Sequence, residues 1–203
     1  MTLLCKLGLT LVVLVVVGAA IAMTMLVRHG VSARDQPTAL EAFVARRLRH
    51  LAVPRSARQA RNPVPATSDV LAEARAHFAD HCAPCHGNDG SGQTEIGQHL
   101  YPKAPDMREA YTQSLSDGEL FYIIHNGIRL TGMPAWGDSP PEEDQDSWKL
   151  VHFIRHLPKI SQEELEAMKK LNPQSPGEKE EEQAEEQFLQ GDDSPAPSPH
   201  HHH

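Results

Sequence analysis

Aromatic side chains make up only 5% of the 203 residues, and sixteen prolines interrupt the chain. Hydrophobic residues reach 39%, but residues 7–27 form a nearly unbroken apolar run, so the remainder is poorer than this average. Such a composition does not build one large core, and it argues against a globular enzyme of this size. Cysteine is scarce as well. Cys5, Cys82 and Cys85 are an odd set with one two-residue gap, which excludes a disulfide framework. Basic residues are in deficit: 19 Lys and Arg stand against 27 Asp and Glu, for a net charge of −8.

That deficit is uneven. Residues 28–61 hold eight Arg against Asp35 and Glu41, whereas residues 62–171 hold nine basic against seventeen acidic side chains. Residues 172–203 hold Lys179 against eight acids. A basic collar therefore separates the apolar run from an acidic body and a more acidic tail. An acidic body argues against nucleic acid as a partner.

Residues 7–27 carry no charge and are long enough to span a bilayer core as one helix. A cleaved signal peptide is the rival reading, with Lys6 ahead of the run and Ala20-Ile21-Ala22 as a small-x-small site. The run continues through Met23, Met25, Leu26 and Val27, which favours a transmembrane anchor over residues 1–27. Cys5 precedes the run, the wrong side for a lipidated cysteine. Arg28, Arg34, Arg46, Arg47 and Arg49 outnumber Lys6, and the positive-inside tendency alone would keep the body in the cytoplasm.

Residues 28–66 read as a basic amphipathic helix and a Pro-rich linker. Over residues 38–51, Thr38 and Glu41 make a capping box, and Leu40, Phe43, Val44, Leu48 and Leu51 form one apolar stripe. The stripe suits either anionic headgroups beside the anchor or packing on the body with a solvated basic face. Pro54, Pro63 and Pro65 predict an extended linker over residues 53–66, free to let the body swing.

Residues 67–171 are the body. A helix starts near Ser68, with Val70, Leu71, Ala74 and Phe78 at helical spacing up to Cys82. Residues 87–115 are loop-like. Ser116 with Glu119 caps a short helix that Gly127 ends. Trp148, Val151, Ile154 and Leu157 mark a further apolar face, and Ser161 with Glu164 caps a trailing helix to about Leu171. Residues 172–203 are too polar to order and read as a disordered acidic tail ending in four histidines. Those histidines fit a tag or low-complexity end, or a site for nickel, copper or zinc.

A few short helices with long Gly/Pro loops leave a thin core that something else must fill. Cys82-Ala83-Pro84-Cys85-His86 supplies the candidate: C-x-x-C-H is the pattern of covalent haem c attachment. Two thiols one turn apart can reach two vinyl groups on one porphyrin edge, and the next residue can ligate iron. Zinc would need a fourth ligand, and there is no second cysteine pair. A thioredoxin-like dithiol would need a βαβ pattern around it, and none is visible.

With Phe78 on the first helix, the haem motif with Gly87, Gly132-Met133-Pro134-Ala135-Trp136, and Trp148 on the last helix, residues 68–158 resemble a class I cytochrome c domain. The resemblance covers under half the chain. It implies an all-α fold around one covalent haem c, and single-electron transfer rather than catalysis. Ala74 stands where such domains commonly have Gly. Cys82, Cys85, His86 and Met133 are the candidate haem-binding residues. Met133 lies in a loop between helices that can drop onto the far haem face, restrained by Pro134. Met107 reads as packing, Met168 as lying outside the domain, and a second histidine, His99 or His125, is the rival ligand. A His/Met pair closes both axial positions and favours ferrous iron. The family also implies that a carbonyl of Pro102 or Pro105 orients the axial histidine.

The resemblance places the haem domain outside the bacterial inner membrane, on the periplasmic side of a single-pass anchor, and overrules the arginine count. It implies a membrane-tethered one-electron carrier whose donor and acceptor present basic docking patches. The alternatives are a haem c subunit of a larger membrane oxidoreductase, or a metal-binding protein acting through its His-ended tail.

Overall fold

The computed structural model describes residues 3–30 and 32–174, together with Gly177 and Leu189. Among the described residues there are helices and no strand. Beyond residue 174, Gly177 and Leu189 apart, the acidic tail and its terminal histidines lie outside the described residues.

The chain opens with α1 (Leu3–His29), whose stretch Cys5–Met25 is long and apolar enough to cross a membrane. None of that stretch is buried by the rest of the chain, and a signal sequence has the same properties. Next comes α2 (Ala39–Ala52), with Thr38 as N-cap accepting from the Glu41 N–H at 3.2 Å. The capping box expected here is only half formed. The Glu41 carboxylate instead accepts a hydrogen bond from the Tyr101 hydroxyl.

The body is built on α4 (Ser68–His77), α8 (Asp117–Asn126) and α9 (Gln145–His156), reached through the short α3 (Arg55–Gln59). Between them stand single turns α5 (Ala83–His86), α6 (Glu95–Gln98) and α7 (Ala110–Gln113), and α10 (Gln162–Lys169) follows. Local chemistry sets the ends. In α8, Ser116 and Glu119 complete a reciprocal capping box, and Gly127 at φ 65° closes the helix in a backbone region open to glycine. In α9, the Asp144 carboxylate accepts from the Ser147 N–H at 2.9 Å.

The core sits where α4 meets α9. Ala74 and Phe78 face Val151 and Phe153, all at most 1% exposed, and the two phenylalanine rings lie 4.9 Å apart. The stripe Trp148, Val151, Ile154 and Leu157 is buried as its spacing predicts. Burial of each such side chain contributes roughly 1.5–3 kcal/mol.

Two sequence expectations, and one of the two alternatives for the α2 stripe, are corrected. Residues 53–66 are not a free extended linker. They form a strap on the body: Val53 is buried, the Ser116 hydroxyl donates to the Arg58 carbonyl at 2.8 Å, and the Asn62 amide donates to the Trp148 carbonyl at 2.9 Å. A Cβ on Gly118 would overlap the Ala57 carbonyl oxygen, so α3 lies directly on α8. Second, the apolar stripe of α2 does not pack on the body: Leu40, Phe43, Val44, Leu48 and Leu51 are 43–72% exposed. Third, Met168 lies within the domain. It is fully buried, because α10 folds back through Glu164, which meets His156 at 2.9 Å and Arg75 at 3.5 Å.

Candidate functional site

After α4 the helix widens into a π-type turn, Phe78–Cys82, in which the Ala83 N–H reaches back to the Phe78 carbonyl. Such turns are rare and concentrate at functional sites. Pro84 then sits at the start of α5, where its missing N–H costs nothing. Cys82, Cys85 and His86 follow helical i, i+3, i+4 spacing and share one face. All three line a single cavity of about 340 Å³ with largely apolar walls. That size lies within the range of small-molecule and cofactor pockets.

The turn is pinned from outside. Thr94 caps α6 by accepting from the Gly97 N–H at 2.9 Å, and its hydroxyl donates to the Cys85 carbonyl at 3.0 Å. His86 is buried, and burial pushes its pKa down to about 4, with the Pro105 carbonyl pulling the other way. At neutral pH the ring is therefore uncharged, the form that donates a lone pair to a metal. Its Nδ1 is buried without a hydrogen-bond partner, and Pro102 and Pro105 both line the same cavity.

Burial pushes the Cys82 thiol up to about 12, with Cys85 beside it adding to the shift, and burial raises Cys85 as well. A reactive redox cysteine shows the opposite shift. These are two protonated thiols facing an apolar space, next to a neutral imidazole.

Met133 lines the same cavity from the loop after α8. Its N–H donates to the Thr131 hydroxyl at 3.1 Å, and its carbonyl accepts from the Ile128 N–H at 3.1 Å, so both sides of the residue are held. The rival histidines are engaged elsewhere. His99 donates through Nδ1 to the Glu95 carbonyl at 2.7 Å on an exposed turn. His125 meets Asp144 at 2.6 Å and stacks on Phe121, which stacks in turn on Trp148 at 4.1 Å. Neither lines the cavity, whereas Met107 does, and it is buried. Trp136 also lines it, edge-on to His81 at 5.3 Å.

The outer wall comes from a place that sequence reasoning missed. Ala42, Ala45, Arg46 and Arg49 of α2 line the cavity, with Tyr101 and Tyr111 from the loops of the body. The Arg49 guanidinium lies 4.8 Å from the Tyr111 ring centre and that of Arg46 lies 5.7 Å away. The alternation of small and basic residues at positions 42, 45, 46 and 49 was a readable signal for a covered face. It was overshadowed by the stronger apolar stripe on the other side.

The residues present fit a covalent haem c. An apolar cavity gathers two thiols, a neutral imidazole and the thioethers of Met107 and Met133, and Arg46, Arg49 and Lys103 supply cations at its wall. The family described as cytochrome C oxidase, cbb3-type, subunit III, matches residues 69–154. These residues form a class I c-type cytochrome domain, a kind that carries covalently bound haem c and transfers electrons. No curated protein matches the chain.

Proposed function

Starting from a c-type cytochrome domain at residues 69–154, we propose that the chain is a membrane-tethered one-electron carrier with one haem c. The observation that carries this reading is the single cavity shared by Cys82, Cys85, His86 and Met133. Cys82 and Cys85 would each hold the haem by adding a thiol across a vinyl group, sulfur to one carbon and hydrogen to the other. His86 would hold the iron through a ring nitrogen, and Met133 through its thioether sulfur. When bound, the haem cycles one electron between ferric and ferrous iron. A thioether ligand from Met133 would favour the ferrous state and leave no open iron site for oxygen or peroxide, which suits a carrier rather than a catalyst. The Pro105 carbonyl orients the imidazole, and Arg46, Arg49 and Lys103 at the cavity offset the haem carboxylates.

Attachment of haem c outside the inner membrane places the domain in the bacterial periplasm, with α1 as a single-pass anchor. The acidic body recognises basic patches on a redox donor and acceptor, and this association weakens with salt. Nucleic acid is not a partner. A second reading, a haem c subunit of a larger membrane oxidoreductase, is favoured by the matched family's description. Purification in mild detergent separates the two: a stoichiometric companion sinks the free carrier.

The decisive test is an absorption spectrum of the exported, matured protein beside Met133→Ala. The wild type shows covalent low-spin haem with a methionine–iron charge-transfer band, and the variant loses that band. A surviving band removes Met133 as ligand. Absence of covalent haem defeats the whole reading.

A further inference from the structure

Helix α2 is inside out for a water-soluble protein. Its small and basic face, Ala42, Ala45, Arg46 and Arg49, is turned to the body. Its stripe Leu40, Phe43, Val44, Leu48 and Leu51 is 43–72% exposed. An amphipathic helix placed against a body in water gains by the reverse arrangement, because apolar burial drives the packing. The observed face is specified by particular contacts. Glu41 takes the Tyr101 hydroxyl, His50 meets Glu119 at 3.0 Å and Arg58 at 3.0 Å, and Arg46 and Arg49 lie over Tyr111. The exposed stripe runs nearly the length of a 14-residue helix, more than the single scattered hydrophobics that ordinary surfaces carry.

We infer that this outer stripe of α2 lies in the headgroup boundary of the bilayer that α1 crosses, so that the haem cavity is held against the membrane surface. The inference rests on the tethered-carrier reading and adds a second membrane contact to it. Reach supports lipid over other occupants. Residues 30–38 alone separate α1 from α2, and nine residues extend at most about 30 Å. Charge agrees. Of the eight Arg in residues 28–61, Arg46 and Arg49 face the cavity, while Arg47 stands beside the apolar stripe and Arg28 and Arg34 follow the apolar run, a composition that suits an interfacial helix on anionic lipid. Arg47, on the outer side, lies 5.5 Å from the Phe43 ring centre, so its charge can reach headgroups while the ring enters the acyl boundary.

The test uses the full-length holoprotein in nanodiscs of anionic phospholipid whose chains carry a photoactivatable diazirine, with adducts mapped by peptide mass. The expected result is lipid adducts on α1 and on residues 40–51. The double variant Leu48→Glu, Leu51→Glu keeps the haem spectrum and the α1 adducts but loses those on α2. Adducts on α1 with none on residues 40–51 overturn the inference while leaving the tether intact. Absence of adducts on α1 defeats the tether itself. Protection of Arg47 from a water-soluble arginine-modifying reagent without lipid adducts on residues 40–51 assigns the stripe to a second copy or a protein partner, and also overturns the inference.

Discussion

Helices α2 and α9 carry the same kind of signal and end in opposite environments. Both are short and amphipathic, and both have apolar residues at three- and four-residue spacing. In α9 the stripe is the core: Leu150, Val151, Phe153 and Ile154 are all buried. In α2 the stripe faces outward, and the polar side closes a cavity. Periodicity therefore reports that a helix has an apolar face, not what covers it. The cover depends on partners such as Tyr101, Tyr111 and Glu119, which stand 60 or more residues away in sequence.

The comparison breaks most visibly at matched phenylalanines. Phe153→Ala removes a fully buried ring from beside Phe78 and should cost about 3–5 kcal/mol, read by thermal or denaturant unfolding of the holoprotein. Phe43→Ala on α2 should change unfolding in detergent by less than about 0.5 kcal/mol, since the ring is half exposed. An equal loss at both positions would mean that the α2 stripe is covered by protein.

The strap offers a test by sign. Gly118 is at the start of α8, under the Ala57 carbonyl. Were the strap free, Gly118→Ala would stabilise the helix by up to about 1 kcal/mol. With the strap docked, the added methyl pushes α3 away, and the variant should lose about 1–3 kcal/mol in the same unfolding assay. A gain in stability would restore the extended linker.

The smallest loss expected within the body concerns pH. Burial works to raise the Asp144 pKa, but hydrogen bonds from His125 and Ser147 outweigh it, and the net shift is downward. A carboxylate with a lowered folded pKa stabilises most above its unfolded value of about 3.9. That contribution is lost as pH falls through the lower folded value. Asp144→Asn should therefore cost about 1 kcal/mol at pH 7, as the cap weakens and His125 loses its partner. The difference from wild type should shrink on acidification. A gap that stays constant down to pH 2 would show that ionisation of Asp144 is not involved.

Much of the site is local, and for that reason legible. The C-x-x-C-H spacing, the capping boxes at Ser116 and Ser161, the Gly127 stop and the apolar face of α9 each depend on residues within a few positions of one another. Met107 and Met133 both line the cavity, while His99 and His125 are engaged elsewhere, contacts that loop composition could not reveal. Three features were not legible. Pro54, Pro63 and Pro65 read as a linker because proline removes donors. Docking here uses other groups: the Arg58 carbonyl, the Asn62 amide and the Val64 carbonyl, which accepts from His152 at 2.8 Å. Met168 looked peripheral in a charged helix because Glu164 and its partners His156 and Arg75 are distant in sequence. Glu41 was paired locally with Thr38 on paper, and a hydroxyl 60 residues away competes for it.

The sequence alone determined the bilayer-length apolar helix, the pairing of two thiols with an imidazole, and the helix ends around them. These follow from backbone sterics and short-range hydrogen bonds that any fold containing these residues must satisfy. Only the tertiary structure decided that the strap lies on α8, that Met168 of α10 is buried, and that the basic side of α2 walls the cavity. Those outcomes are contests between alternative partners for the same group. Packing geometry in three dimensions settles them, because a hydrogen bond or a buried face goes to whichever partner the rest of the fold brings within reach.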